Sequence, residues 1–220
     1  MRKYYVILVS KHNPLENSTT KQNIIELKLC RILQSKIPSL RIPILLWQNQ
    51  LYHNIFKAFH FKGVPVVVDH SKDEQVEALF NKIKKENNGR LDILVNNAFA
   101  GVDVIFNPGN KRSKFYNLDP AEQWDVLNGV GLRNHFMCTV YASRLMVERT
   151  EGLIVNISSA GGIRYLFNAA YGIGKAACDR MAADCAIEFR ESNITMVSLW
   201  PGPVKTEFIQ EYVIDGGKIL

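Results

Sequence analysis

The sequence predicts an α/β fold, a doubly wound parallel sheet with helices on both faces, and three observations carry that expectation. From residue 63 onward, short apolar runs that read as strands alternate with stretches of helical period. The strand runs are near-continuously apolar rather than alternating, the pattern of strands covered on both faces. Each run then stops in small or polar residues, at Asp69, Asn96-Asn97-Ala98, Ser158-Ser159 and Pro201-Gly202. Ligands of such sheets bind in the crevice outside the carboxyl ends of the strands, so these residues mark the functional edge.

Taken in order, residues 4–9 and 41–47 read as strands on either side of a helix at 20–37, whose Ile25, Leu29, Ile32 and Leu33 share a face. Residues 64–68 read as a buried strand. Ser71-Lys72-Asp73-Glu74 has the spacing of a capping box, in which the Ser and Glu side chains satisfy free amides at a helix start. The helix that follows places Val76, Leu79, Phe80 and Ile83 on one face and ends near Asn87-Asn88-Gly89. Residues 91–95 form the next strand. Asp119-Pro120 sets a cap residue before a first-turn proline and opens a long helix through Trp124, Leu127 and Val130. Residues 153–157 read as a strand, 170–190 as a helix and 194–199 as a strand.

Composition narrows the function. No run approaches the 18 or so apolar residues of a membrane span. Met1-Arg2-Lys3 before an apolar run has the charge order of a signal peptide, but the run is short and no small-residue cleavage site follows. Cys30, Cys138, Cys178 and Cys185 form no C-x-x-C pair, and the five histidines supply no H-E-x-x-H, so no metal site and an intracellular protein with reduced thiols are expected. The net charge of +6 invites a nucleic-acid partner, but residues 1–62 hold ten of the 27 basic residues and two of the 21 acidic ones, Glu16 and Glu26. That basicity is spread along the segment rather than gathered into a stripe, and the remainder carries −2, so no nucleic-acid partner is expected. Glycine marks the same seam, since all 14 lie between Gly63 and Gly217.

At the functional edge, Tyr171 and Lys175 are four apart in a helix, which brings their Cβ atoms to roughly 5–6 Å. A phenol titrates near pH 10 and is a poor acid or base at neutrality, but a cation about 4 Å away favours phenolate by up to about 4 kcal/mol at an effective dielectric of about 20. That is roughly three pKa units, enough to make Tyr171 a general acid toward a carbonyl oxygen as hydride reaches the carbon. A serine ending the preceding strand can hydrogen-bond the same oxygen. The spacing alone discriminates poorly, because eight tyrosines and 27 basic residues make one chance Tyr-x-x-x-Lys close to an even expectation. The competing reading is a helix-surface contact worth a few tenths of a kcal/mol. What separates the two is position, just after a strand ending in Ser-Ser and downstream of Asn-Asn-Ala.

Leu91-Asp92-Ile93-Leu94-Val95-Asn96-Asn97-Ala98 resembles the strand of the short-chain dehydrogenases/reductases that ends in Asn-Asn-Ala-Gly. Gly152 to Ser159 is similar to that family's serine strand, Tyr171-Gly172-Ile173-Gly174-Lys175 to its Tyr-x-x-x-Lys, and Pro201-Gly202-Pro203-Val204-Lys205-Thr206 to its nicotinamide loop. The resemblance covers about residues 63–210 and implies a Rossmann-like, three-layer single domain that binds NADP(H) or NAD(H). It implies that Ser159, Tyr171 and Lys175 reduce a carbonyl or oxidise an alcohol of a small substrate, hydrophobic and ketone-, steroid- or xenobiotic-like. Lys175 would also hold the nicotinamide ribose. Asp69 would contact the adenine, with a helix-entry cap as its competing role. Asn96, Asn97 and Ala98 would line the adenosine side, with a turn role competing for Asn97, and Pro201, Gly202, Val204 and Thr206 would hold the nicotinamide amide and phosphates. A homodimer through helices near 120–149 and 170–190 and a cytoplasmic or endoplasmic-reticulum-associated location are further implications.

Three departures qualify the resemblance. The family's first strand runs into a glycine-rich turn that lets the backbone approach a pyrophosphate, whereas Val6-Ile7-Leu8-Val9 runs into Ser10-Lys11-His12-Asn13-Pro14. Residues 1–62 are therefore expected to be an atypical N-terminal segment with degenerate or replaced first βα units, and 63–220 the catalytic region with a truncated C-terminus. The Asn that supports proton relay in the family is matched by Gly131, with Asn128 a turn away. A catalytically impaired member that only binds or dimerises is the alternative function. A serine hydrolase is excluded because Ile157 stands where G-x-S-x-G needs glycine and no histidine follows His135. A P-loop is excluded because Gly174-Lys175 is followed by Ala176 and Ala169 takes the first glycine's place.

Overall fold

The computed structural model describes residues 6–9, 64, 66–106 and 114–201. The elements expected at 20–37 and 41–47, and the expected site residues Gly202, Val204 and Thr206, lie outside the described residues.

Four parallel strands form one sheet in the order β1 (Val6–Val9), β2 (Ile93–Asn96), β3 (Gly152–Ile157) and β4 (Ile194–Leu199). The register sets Val9 opposite Asn96, Asn96 opposite Asn156 and Asn156 opposite Ser198, so the carboxyl ends share one edge. β2 is buried along its whole length, as a strand covered on both faces must be. Its ladder starts two residues later than the apolar run suggests.

Helix α1 (Asp73–Glu86) buries Val76, Leu79, Phe80 and Ile83, the face expected from its period. The expected capping box does not form. Lys72 is the N-cap and offers no side-chain bond, because the Ser71 hydroxyl donates instead to Asp69 Oδ1 at 2.7 Å. Gln75 takes the reciprocal part further upstream, its Oε1 accepting from the Asp69 amide at 2.8 Å. The strand expected at 64–68 is also corrected: residues 66–69 have no strand geometry and make no ladder, and Val64 and Val67 are exposed while Val68 is buried.

A short helix, α2 (Val102–Phe106), follows β2. The long helix predicted from Asp119 is present but compound. α3 (Pro120–Asn128) is capped by Asp119, whose Oδ1 accepts from the Glu122 amide at 2.7 Å. A π-helical stretch, Gly129–Asn134, then leads into α4 (His135–Val147). Such bulges are frequent at functional sites. α5 (Ala169–Glu188) closes the pattern between β3 and β4. Apolar side chains of α1, α4 and α5 meet Leu94, Ile154, Ile194 and Met196 of the strands in one continuous core. Among the described residues no helix is long and apolar enough to cross a membrane.

Candidate active site

Ser159, Tyr171 and Lys175 converge at the carboxyl edge of β3. Ser159 lies two residues beyond the strand, where its Oγ accepts from the Gly161 amide at 3.1 Å and caps a 3-10 turn at Ala160–Gly162. That turn sets the hydroxyl near the Tyr171 phenol, close enough to favour its ionised form. Ser158 is committed elsewhere, buried and donating to Lys175 O at 3.1 Å. Of the two adjacent serines, the structure thus brings Ser159 to the tyrosine and uses Ser158 to fasten β3 to α5.

Tyr171 is placed by Asn168, the N-cap of α5, whose Oδ1 accepts from the Tyr171 amide at 2.9 Å. Its ring stands nearly perpendicular to those of Phe167 and Phe99, at 5.0 and 5.8 Å between centroids. Gly161 passes so close that a Cβ there would stand 2.5 Å from Tyr171 Cε1. Burial raises the phenol above its ordinary titration range, and the nearby Ser159 hydroxyl works against the rise. The expectation that Lys175 lowers this phenol is not met in this arrangement, because the ammonium is turned to Ile157 O at 3.1 Å.

Lys175 is itself buried, and burial pulls its ammonium below the ordinary lysine range, with Cys178 and Asp179 on its own helix opposing the shift. Nζ lies 5.0 Å from the Phe99 ring centroid and 5.8 Å from that of Tyr171. Behind it, His135 is fully buried with Nε2 2.9 Å from Ala98 O. Burial, helped by the Lys175 charge, holds its pKa down to about 3. Cys178 donates to Gly131 O in the π-helical stretch at 3.3 Å.

The remaining expected residues divide. Asn96 is fully buried, with Nδ2 donating to Asn156 Oδ1, Thr139 Oγ1 and His135 O, so its side chain ties β2 to β3 and α4 rather than facing a ligand. Asn97 and Ala98 are buried beside it. Asp69 is partly exposed; burial works to raise its carboxyl, but bonds from the Ser71 hydroxyl and amide hold it below the ordinary range. The helix-entry cap that competed with adenine contact is not formed by Asp69, since Lys72 is the N-cap of α1. Asn128 is buried and donates to Ala170 O at 3.2 Å, pinning α3 to the first turn of α5. Pro201 is partly exposed, next to Trp200, whose Nε1 donates to Asp179 Oδ1 at 3.0 Å. Sequence reading missed Asn168, Phe99, Phe167 and Asp179. Only Asn168 had a local signal, a capping residue three before Tyr171.

The comparisons with known proteins agree with this geometry. The family described as short chain dehydrogenase matches residues 47–215. Mouse and human proteins named "Dehydrogenase/reductase SDR family member 1" are each 53% identical over 150 residues, 68% of this chain and 47% of theirs. The chain thus spans about half the length of these curated relatives. Nodulation protein G of Azospirillum brasilense is 29% identical over 181 residues, 82% of this chain and 67% of its own. Among solved structures, "ElxO with NADP Bound" superposes with a TM-score of 0.73 at 22% identity, covering 99% of this chain and 80% of its own. A metagenomic short-chain oxidoreductase in complex with NADP gives 0.69 at 22% identity, covering 91% and 83%. A motif-bearing sheet edge, a matching family across most of the chain and close relatives converge, and the chain belongs to the short-chain dehydrogenase/reductase family.

Proposed function

We propose that this chain is an NAD(P)(H)-dependent oxidoreductase that interconverts a carbonyl and an alcohol, with Tyr171 as general acid/base. The observation that carries the reading is the meeting of Ser159, just past β3, with Tyr171 and, one turn further along α5, Lys175, whose Nζ lies 5.8 Å from the Tyr171 ring centroid. The nicotinamide cofactor supplies the hydride when bound. The Tyr171 hydroxyl gives its proton to the carbonyl oxygen, which the Ser159 hydroxyl holds by a second hydrogen bond. The residues fit the nicotinamide end of such a cofactor. Among the described residues Lys175 uses one of its donors, on Ile157 O, leaving others for ribose hydroxyls. Asn97, Ala98, Asp69 and the loop from Pro201 through Gly202, Val204 and Thr206 complete its expected contacts.

The substrate is small and apolar, ketone-, steroid- or xenobiotic-like. Between Ser159 and Tyr171 the chain exposes Ile163 (74%), Tyr165 (80%) and Phe167, an apolar border beside the phenol. A second reading has its own observation. β1 stands beside β2 in register, yet Ser10-Lys11-His12-Asn13-Pro14 follows it with no glycine to let a backbone approach a pyrophosphate. On that reading the chain keeps the fold without turnover and associates through α3, α4 and α5, where Trp124, Phe136, Val147 and Ile187 are exposed. Titration with NADPH and with NADH, following reduced-cofactor fluorescence, separates the two. Saturable binding with reduction of an apolar ketone supports the enzyme; no binding at high micromolar cofactor supports the second reading.

A further inference from the structure

Phe99 stands where the family's strand motif, Asn-Asn-Ala-Gly, has glycine, and the structure surrounds it with two glycines. A Cβ on Gly131 would stand 2.7 Å from Phe99 Cδ2, and one on Gly101 would stand 2.9 Å from Phe99 Cζ. Gly131 belongs to the π-helical stretch and Gly101 to the turn before α2, so two separate backbones make room for one ring. The ring does not sit idle in that room. One face lies 5.0 Å from Lys175 Nζ, and the ring meets Tyr171 nearly edge-on.

The ammonium has unusual company. It is buried, it donates to Ile157 O, and among the described residues no carboxylate lies within ion-pair distance of it. On its own helix it faces Tyr171, Cys178 and Asp179, and from α4 it faces His135, which burial keeps neutral. The Asp179 carboxylate accepts from Ser198 Oγ and Trp200 Nε1 through Oδ1, while its Oδ2 is buried without a hydrogen-bond partner among the described residues. A desolvated cation without an ionic partner is strongly disfavoured unless something else holds it. An aromatic face at this distance supplies attraction that grows as water is excluded.

We propose that Phe99 is a positioning residue that acts through Lys175, its ring face holding the buried ammonium charged and beside the Tyr171 phenol. The ring thereby takes over support that a side chain from the π-helical stretch cannot give, since Gly131 has none. This rests on the reading of Tyr171 and Lys175 as the acid/base pair, but the interaction itself is present without substrate or cofactor and can be tested without turnover.

The full chain carrying lysine labelled with carbon-13 at Cε is titrated by nuclear magnetic resonance, with the Lys175 signal assigned by its disappearance in Lys175→Arg. Wild type should show a Lys175 resonance displaced by ring current. Replacing Phe99 with mono-, di- and trifluorinated phenylalanine weakens the ring face while nearly preserving its shape. The titration midpoint of Lys175 should fall stepwise along that series, by about one unit at its end. Phe99→Leu should lower it similarly and reduce the ring-current displacement to the part that the Tyr171 ring supplies. A midpoint that stays at the wild-type value across the fluorinated series overturns the proposal, even if Phe99→Leu moves it, because packing alone would then explain the ring. If Phe99→Leu does not fold, the fluorinated series decides. Failure here leaves the acid/base reading standing; that reading falls if Tyr171→Phe retains turnover or if the chain binds no nicotinamide cofactor.

Discussion

The Tyr171 amide donates to Asn168 Oδ1 at 2.9 Å, so the residue that starts helix α5 also fixes where the phenol emerges from it. Ser159, reached across the Ala160–Gly162 turn, meets that phenol from the other side. The site is therefore built from two caps, one on a 3-10 turn and one on a helix. Asn168→Ala should cost about 1 kcal/mol of stability, in the range known for lost N-caps. It should also reduce turnover more than cofactor affinity, whereas Asn168→Asp should restore both. Urea unfolding and steady-state kinetics read the two effects.

Adjacent serines should separate cleanly. Ser159→Ala removes the hydroxyl that lies near the phenol and would hold the substrate oxygen, and should lower kcat by about 10²-fold. Ser158→Ala removes a buried donor to Lys175 O and should cost roughly 1–3 kcal/mol of stability. Its kcat should fall by much less. Equal kinetic losses in both variants would contradict the assignment of Ser159.

The pH dependence has a definite sign. Burial raises the Tyr171 phenol, so it stays protonated through neutrality, the form that donates to a carbonyl. Carbonyl reduction should hold its rate from about pH 6 to pH 9 and decline only at or above about pH 10. Alcohol oxidation needs the phenolate and should rise across the same interval. Initial rates in both directions check this.

Two buried histidines predict acid sensitivity. His135 is held down to about 3 and His70 to about 4, both by burial, so the folded chain keeps them neutral while the unfolded chain protonates them below about 6.5. Folded-state pKa values below unfolded ones mean stability present above about pH 6.5 and lost as pH falls toward those values. Each histidine contributes a slope of up to about 1.4 kcal/mol per pH unit. His135→Gln should flatten that slope between pH 6 and 5 in denaturant titrations, whatever it does to stability at pH 7.

Much of this arrangement was legible because it depends on local pattern. The faces of α1, the Asp119 cap and the apolar runs of β3 and β4 are set by residues within a few positions of one another. The capping box at Ser71 misled because Asp69, two residues upstream, competes for the same hydroxyl. The strand expected at 64–68 misled because an apolar run becomes a strand only where a ladder partner exists. Asn96 looked like a ligand residue from its place at a strand end, but three buried acceptors from β3 and α4 claim its amide. Phe99 was illegible for the same reason: its meaning depends on Gly131 and Lys175, which come beside it only in the folded chain.

The most direct test of the account is Tyr171→Phe. The variant removes one hydroxyl and leaves the ring between Phe99 and Phe167, so NADPH or NADH should bind with near wild-type affinity by fluorescence titration while carbonyl reduction is abolished. Retained reduction in the folded variant would contradict the central claim that the Tyr171 hydroxyl is the proton donor.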